Sequence, residues 1–258
     1  VRRHLSAEWT KLRTLPGIGW LLLAVVTLTP AASAAAAAMV SCPPAGCAYD
    51  VPKLGLMGVQ VGQAVVAVLA VLAVTGEYGT GLVRTTFTAM PRRVAVLTAK
   101  AAVLTGLTLS AGTAAVLTSV LAGRIILPGN GFVPEHGQPL LSLADGPTFR
   151  AAAGSVLYLA LIALLSLGVA IAVRDSAIAM GIVFGLLYVL SAVPLMVSDP
   201  GWQKLLWQIS PMNAGLAVQA TARLSDLPLS PWAGLAVLAA WAAAALLCGG
   251  LLLRARDA

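Results

Sequence analysis

The chain has 258 residues, 59% of them hydrophobic and 10% charged, with a mean hydropathy of +0.93. An ordinary globular domain carries about a quarter charged residues, so a soluble core is excluded and the composition is that of a polytopic membrane protein. The formal charge of +7 is not gathered into a basic face with interleaved aromatics, which argues against a nucleic-acid partner and for charges placed by membrane topology.

Residues 1–14 are polar and basic, with Arg2, Arg3, Lys11 and Arg13 against Glu8. Leu5, Trp9 and Leu12 recur at helical spacing and predict an amphipathic helix on the membrane surface, its cations turned towards anionic lipid. The plainer alternative is a solvated positive flank that only orients the first span. Residues 17–39 form the first apolar run, long enough to cross a hydrocarbon core of about 30 Å. With its basic flank and Pro30-Ala31-Ala32-Ser33-Ala34 it imitates a secretory signal. The apolar character continues through the alanine run, so an uncleaved span is expected. Cys42 and Cys47 frame Pro43-Pro44-Ala45-Gly46 and can close a small disulfide if that loop faces an oxidising compartment. Two thiols without a nearby histidine do not make a metal site. Cys248, inside an apolar run, reads as a small buried hydrophobe.

The second span is expected over 54–75, with Gly58 and Gly62 spaced to let another helix approach closely. The polar stretch Gly76–Arg93 follows. The next apolar run extends from Val94 to about Ala122, with 101–123 as its membrane core and Lys100 snorkelling to the interface. Residues 124–150 are rich in Gly and Pro and read as an irregular external loop, in which Glu135 and His136 are solvated rather than ligating. The fourth span is expected over 151–173. The Arg174-Asp175-Ser176 turn leads to a fifth over 177–197, where Gly181 and Gly185 again have the spacing for close packing. Residues 198–231 are apolar but broken by Pro200, Pro211, Pro228 and Pro231, which predicts short re-entrant or interfacial helices anchored by Trp202 and Trp207. The sixth span is expected over 232–253. No repeat or linker divides the chain, so 1–258 reads as a single all-α membrane domain of six transmembrane helices.

Six spans put both termini on one side. That side carries eleven of the sixteen Lys and Arg residues, and the other side carries Lys53, Arg124, Arg150, Lys204 and Arg223. With the acids included the net charges are +7 and zero. By the positive-inside rule the termini, the Gly76–Arg93 loop and the Arg174 turn are cytoplasmic, and Cys42 and Cys47 face outward. The span interiors hold essentially no ionisable residue, which weighs against ion-coupled transport. There is no phosphate-binding G-x-x-x-x-G-K-[ST] loop, no H-E-x-x-H and no G-x-S-x-G. The expectation is therefore a chain with no catalytic residues, no metal and no cofactor of its own, which draws energy from another protein.

Gly76–Arg93 has the chemistry to meet such a protein. Its glycines allow a sharp exit from the second span, and Pro91 bounds any helix within the loop. Glu77 and the arginines can pair with charges on a partner. The alternative, that the arginines only set topology and bind lipid headgroups, leaves Glu77-Tyr78 and the glycines without a role.

Taken in order, the motifs resemble those of the ABC-2 family of ATP-binding-cassette transporter permeases. Glu8-Trp9-Thr10-Lys11-Leu12-Arg13 resembles the family's E-W-x-K-x-R element. Glu77-Tyr78-Gly79-Thr80-Gly81, followed by Pro91-Arg92-Arg93 and Lys100, resembles its E-Y-x-x-G segment with the trailing P-x-R and Lys. Ser210-Pro211 resembles the Ser-Pro after the fifth span. Gly79 departs from the pattern, where polar or charged residues often follow Glu-Tyr.

The resemblance implies a homo- or heterodimer of permeases in a bacterial plasma membrane, each contacting a cytosolic ATPase that binds ATP and Mg. It implies coupling through Glu77, Tyr78, Arg84, Arg92 and Arg93, and export of a hydrophobic or amphipathic compound. The competing expectation is a non-transporting scaffold or sensor subunit that anchors a soluble partner through the same loop.

Overall fold

A computed structural model describes residues 16–43, 47–79, 93–136 and 141–255. Within them the chain is mostly helical, with no strand. Six helices are long and apolar enough to cross a membrane. The helices are α1 (Pro16–Ala38), α2 (Val51–Gly55), α3 (Val59–Gly79), α4 (Arg93–Gly129), α5 (Gly146–Val173), α6 (Ser176–Phe184), α7 (Leu190–Ala192), α8 (Pro200–Ile209), α9 (Pro211–Leu216) and α10 (Pro231–Ala255). α6 runs into α7 through a π-helical turn, Gly185–Val189, and the fifth span closes with a 3-10 turn, Val193–Met196. The end of the bundle that carries the Cys42–Cys47 loop is called the outer end below, and the opposite end the inner end.

The ends of the elements follow from local chemistry. Asp50, Asp175 and Asp199 cap α2, α6 and α8, their carboxylates accepting from the Lys53, Ile178 and Trp202 amides. Pro200 and Pro211 open α8 and α9, where a missing N–H costs nothing. α5 ends at Arg174, which takes the left-handed conformation (φ 63°) usually left to glycine; with Asp175 capping α6 directly after, the two spans reverse in two residues.

α5 is the central post. It packs against α3, α4, α6 and α10, while α1 packs on α3 and α4. Lipid is as apolar as leucine, so helices in a membrane associate through close contact rather than through the hydrophobic effect. At Gly168 of α5 an added Cβ would sit 2.5 Å from the Ala245 carbonyl carbon of α10. At Gly58 it would overlap the Thr29 carbonyl oxygen of α1, and the Gly58 amide donates to Ser33 Oγ at 3.0 Å.

Several sequence expectations need correction. The second apolar run is not one helix: α2 ends at Gly55, and residues 56–58 turn before α3 begins. α4 is longer than 101–123, running from Arg93 to Gly129, and α5 starts at Gly146. Arg124 and Arg150 therefore belong to helices rather than to a loop; Ile125, Ile126 and Leu127 prolong the apolar run, and Pro128 is tolerated in the final turn. Lys100 does not snorkel to the surface: it is 5% exposed, and Nζ donates to the Ala73 carbonyl of α3 at 3.3 Å. Cys248 is exposed, on a face of α10 turned away from the protein. Gly181 and Gly185 have nothing within contact distance, so their spacing serves no packing within this chain.

Candidate functional site

The residues expected to couple to a partner divide between described and undescribed parts of the chain. Glu77 and Tyr78 belong by backbone to the last turn of α3, and Arg93 opens α4; their side chains lie outside what is described. Arg84 and Arg92 lie outside the described residues, as do Leu5, Trp9 and Leu12. The fold sets the two ends of the loop on helices that Lys100 joins at the inner end, one helical turn before Glu77.

The outer end is held by chain-distant contacts. Cys42 and Cys47 form a disulfide with Cα atoms 5.5 Å apart. The Cys42 amide donates to the Asn130 carbonyl at 2.9 Å, and Asn130 Nδ2 donates to the Ala37 carbonyl at 2.9 Å. Gly131 permits this approach: its φ of 87° suits glycine, and a Cβ there would overlap the Cys42 carbonyl. Asp50, besides capping α2, accepts from the Thr221 amide at 2.6 Å, Thr221 Oγ1 at 2.6 Å and the Ala222 amide at 2.9 Å. Arg150 Nη2 donates to the Ala220 carbonyl at 2.6 Å.

Between the spans runs a seam of uncharged polar groups. Gln63 of α3 accepts from the Tyr158 hydroxyl of α5 and donates to Met212 Sδ of α9 at 3.1 Å. Ser191 Oγ and Ser210 Oγ are 2.7 Å apart, and Asn213 Nδ2 donates to the Ser191 carbonyl at 3.0 Å. Gln219 donates to Ser155 Oγ at 3.0 Å and to the Leu56 carbonyl at 3.4 Å. A polar group buried without a partner costs about 1–3 kcal/mol, which explains why each of these finds one. Ser210 precedes α9 in the N-cap position yet makes no side-chain cap, because its hydroxyl is engaged by Ser191.

Three cavities adjoin this framework. One of about 190 Å³ lies along the seam, with Lys53, Gln60, Asn213 and Gln219 among apolar walls that include Trp207 and Leu229. One of about 540 Å³ opens at the outer end between Asp50, Asp145, Thr221 and Arg223. The third, about 530 Å³, is an apolar groove between α4 and α5 lined by Val116, Leu117, Phe149 and Val156. Among the described residues no cluster of three His, Cys, Asp or Glu could hold a metal ion.

Of these groups, sequence reasoning singled out the Cys42–Cys47 pair and, through resemblance, Ser210-Pro211. Asp50, Gln63, Tyr158, Ser191 and Gln219 were missed; the available signal was an uncharged amide or a carboxylate beside an apolar run. The sequence matches no known family model and no curated protein.

Proposed function

We propose that the chain is the transmembrane permease subunit of an ATP-driven transporter of the ABC-2 type, exporting a hydrophobic or amphipathic compound. The observation that carries this reading is the ordered set of motifs, Glu8-Trp9-x-Lys11-x-Arg13, Glu77-Tyr78-x-x-Gly81, Pro91-x-Arg93 and Ser210-Pro211, placed on a chain with six apolar spans. Energy comes from a cytosolic ATPase that holds ATP and Mg. The stretch from the last turn of α3 to the start of α4 docks on it through Glu77, Tyr78, Arg84, Arg92 and Arg93. The cation excess of the inner end makes that end cytoplasmic. Residues 1–14 lie on the membrane surface, with Leu5, Trp9 and Leu12 towards lipid.

In the same reading α8 and α9 form a re-entrant hairpin that dips into the membrane from the outer end. Supporting it, Trp241 Nε1 donates to the Ile209 carbonyl at 2.9 Å from a position ten residues into α10, about 15 Å along the helix at 1.5 Å per residue. An irregular segment at that depth must satisfy its backbone and polar groups within the protein, as Ser210 and Asn213 do.

The test is purification of the chain from native membranes in mild detergent, followed by mass spectrometry and an ATP-hydrolysis assay. The expected result is a co-purifying soluble subunit with a phosphate-binding loop, largely lost with Glu77→Ala plus Arg84→Ala. Transport that proceeds unchanged with the double substitution overturns the coupling assignment, and a chain that purifies without any ATPase favours a scaffold.

A further inference from the structure

α4 and α5 meet closely at Gly112, where an added Cβ would lie 3.4 Å from Leu159 Cδ1 and 3.9 Å from Val156 Cγ1. Further out, Leu141 Cδ2 lies 3.0 Å from the place a Cβ would take on Gly123. Thr113, Val116 and Leu117, which line the apolar groove of about 530 Å³, fall between these two contacts along α4. Small-molecule sites usually span about 300–1,000 Å³, so the groove is large enough for a ligand. Its floor is Val116 and Ala152, both buried, and its rim is Leu117, Leu143, Phe149 and Leu157, all exposed. The one polar side chain of the lining, Thr113, already donates its hydroxyl to the Leu109 carbonyl at 2.7 Å. With no charge and no free donor, the groove suits hydrocarbon.

The same face of α4 carries a cation further out. Arg124 follows Leu117 by seven residues and Thr113 by eleven. At 3.6 residues per turn it lies within about 20° of both, about 10 Å beyond Leu117 along the helix. It is exposed, as are its apolar neighbours Leu121 (57%) and Ile125 (70%), so this surface of α4 faces lipid. Among the described residues no acid forms an ion pair with it, and Asp145 lines the outer cavity instead. A charge on a lipid-facing helix is costly unless it reaches the interface or finds a counter-charge. The guanidinium fork matches the oxygens of a phosphate. An apolar groove with a cation beyond its outer end has the outline of an acidic amphiphile.

We propose that the α4–α5 groove holds an acyl chain of an anionic phospholipid whose phosphate pairs with Arg124. The site goes beyond the permease reading and needs only that the six spans lie in a membrane. General lipid contact would favour neither head group, whereas Arg124 favours a lipid with net negative charge.

The test is native mass spectrometry of the full chain, delipidated in mild detergent and titrated with phosphatidylglycerol or phosphatidylcholine of the same acyl chains. The first phosphatidylglycerol should bind about fivefold more tightly than the first phosphatidylcholine, the ratio expected of one basic residue at a lipid surface. Arg124→Gln should bring the two affinities together. Lys204→Gln, which removes an exposed cation of α8, should leave the preference as it was. Ala153→Phe fills the groove and should weaken the first binding step of both lipids. Ala153→Leu serves the same purpose if the phenylalanine variant does not fold.

A preference that survives Arg124→Gln, or that falls as far with Lys204→Gln, overturns the head-group pairing. Unchanged binding of both lipids to the groove-filling variant overturns the groove as their seat. Leu117→Cys in a Cys248→Ser background checks the rival occupant, a second copy of the chain. No dimer should form on mild oxidation in native membranes; efficient cross-linking would put another copy on the groove and overturn the lipid site.

Discussion

Sixteen of the 28 residues of α5 are buried, whereas none of the ten residues of α8 is. Both helices are rich in leucine and other apolar side chains. α5 is apolar on every face and is surrounded by α3, α4, α6 and α10, so its small residues set how near those neighbours come. α8 is amphipathic, and Trp202, Leu205 and Ile209 form an exposed stripe at helical spacing, 63%, 42% and 43% exposed at Trp202, Ile209 and Leu205. In a soluble protein that stripe would demand a partner; in a membrane, lipid suffices. Apolar sequence therefore identifies what is immersed, and small or polar residues identify what is packed.

The comparison breaks most readily at Gly168. Gly168→Leu drives a side chain into the α10 backbone, and most of the folded protein should be lost, read as disappearance of the monodisperse peak in fluorescence-detected size exclusion. A normal peak would mean that α5 and α10 do not need this approach. The polar seam is the next step down. Tyr158→Phe removes one interhelical hydrogen bond to Gln63 and should lower stability by about 1 kcal/mol in reversible detergent unfolding, near the range found for such bonds in membranes. The smallest effect belongs to α8. Trp202→Ala should change stability by less than about 0.5 kcal/mol in the same assay, because most of the side chain is exposed. A loss as large as that from Tyr158→Phe would show that α8 is packed after all.

The six apolar runs were legible because about 20 consecutive apolar residues are needed to cross the hydrocarbon core. α1, α6 with its continuation, and α10 begin and end within two residues of the expected spans. The break at 56–58 was hidden, since Leu54-Gly55-Leu56-Met57-Gly58 stays apolar through the turn and only its glycines hint at one. The end of α4 was misread because Arg124 looks like a loop residue, although three apolar residues follow it. Burial at Lys100 and exposure at Cys248 were inverted for one physical reason: hydropathy separates membrane from water but not lipid from protein. The hydrogen bonds from Thr221 and Ala222 to Asp50 join residues far apart in sequence, and no local pattern announces such a pairing. Glu77 and Tyr78 stood out as polar residues at the close of an apolar run, but the expected exit from the second span at Gly76 is not made: α3 continues through both to Gly79.

The central claim is that this chain moves its substrate with energy taken from another protein through the loop between α3 and α4. The most direct measurement is ATP hydrolysis and stoichiometry of the complex purified from native membranes, compared with that of the Glu77→Ala plus Arg84→Ala variant. The account predicts a soluble ATPase bound to the unaltered chain, with binding and membrane-stimulated hydrolysis largely lost in the variant. A chain that carries no ATPase, or a variant that retains the subunit and its activity in full, would contradict it.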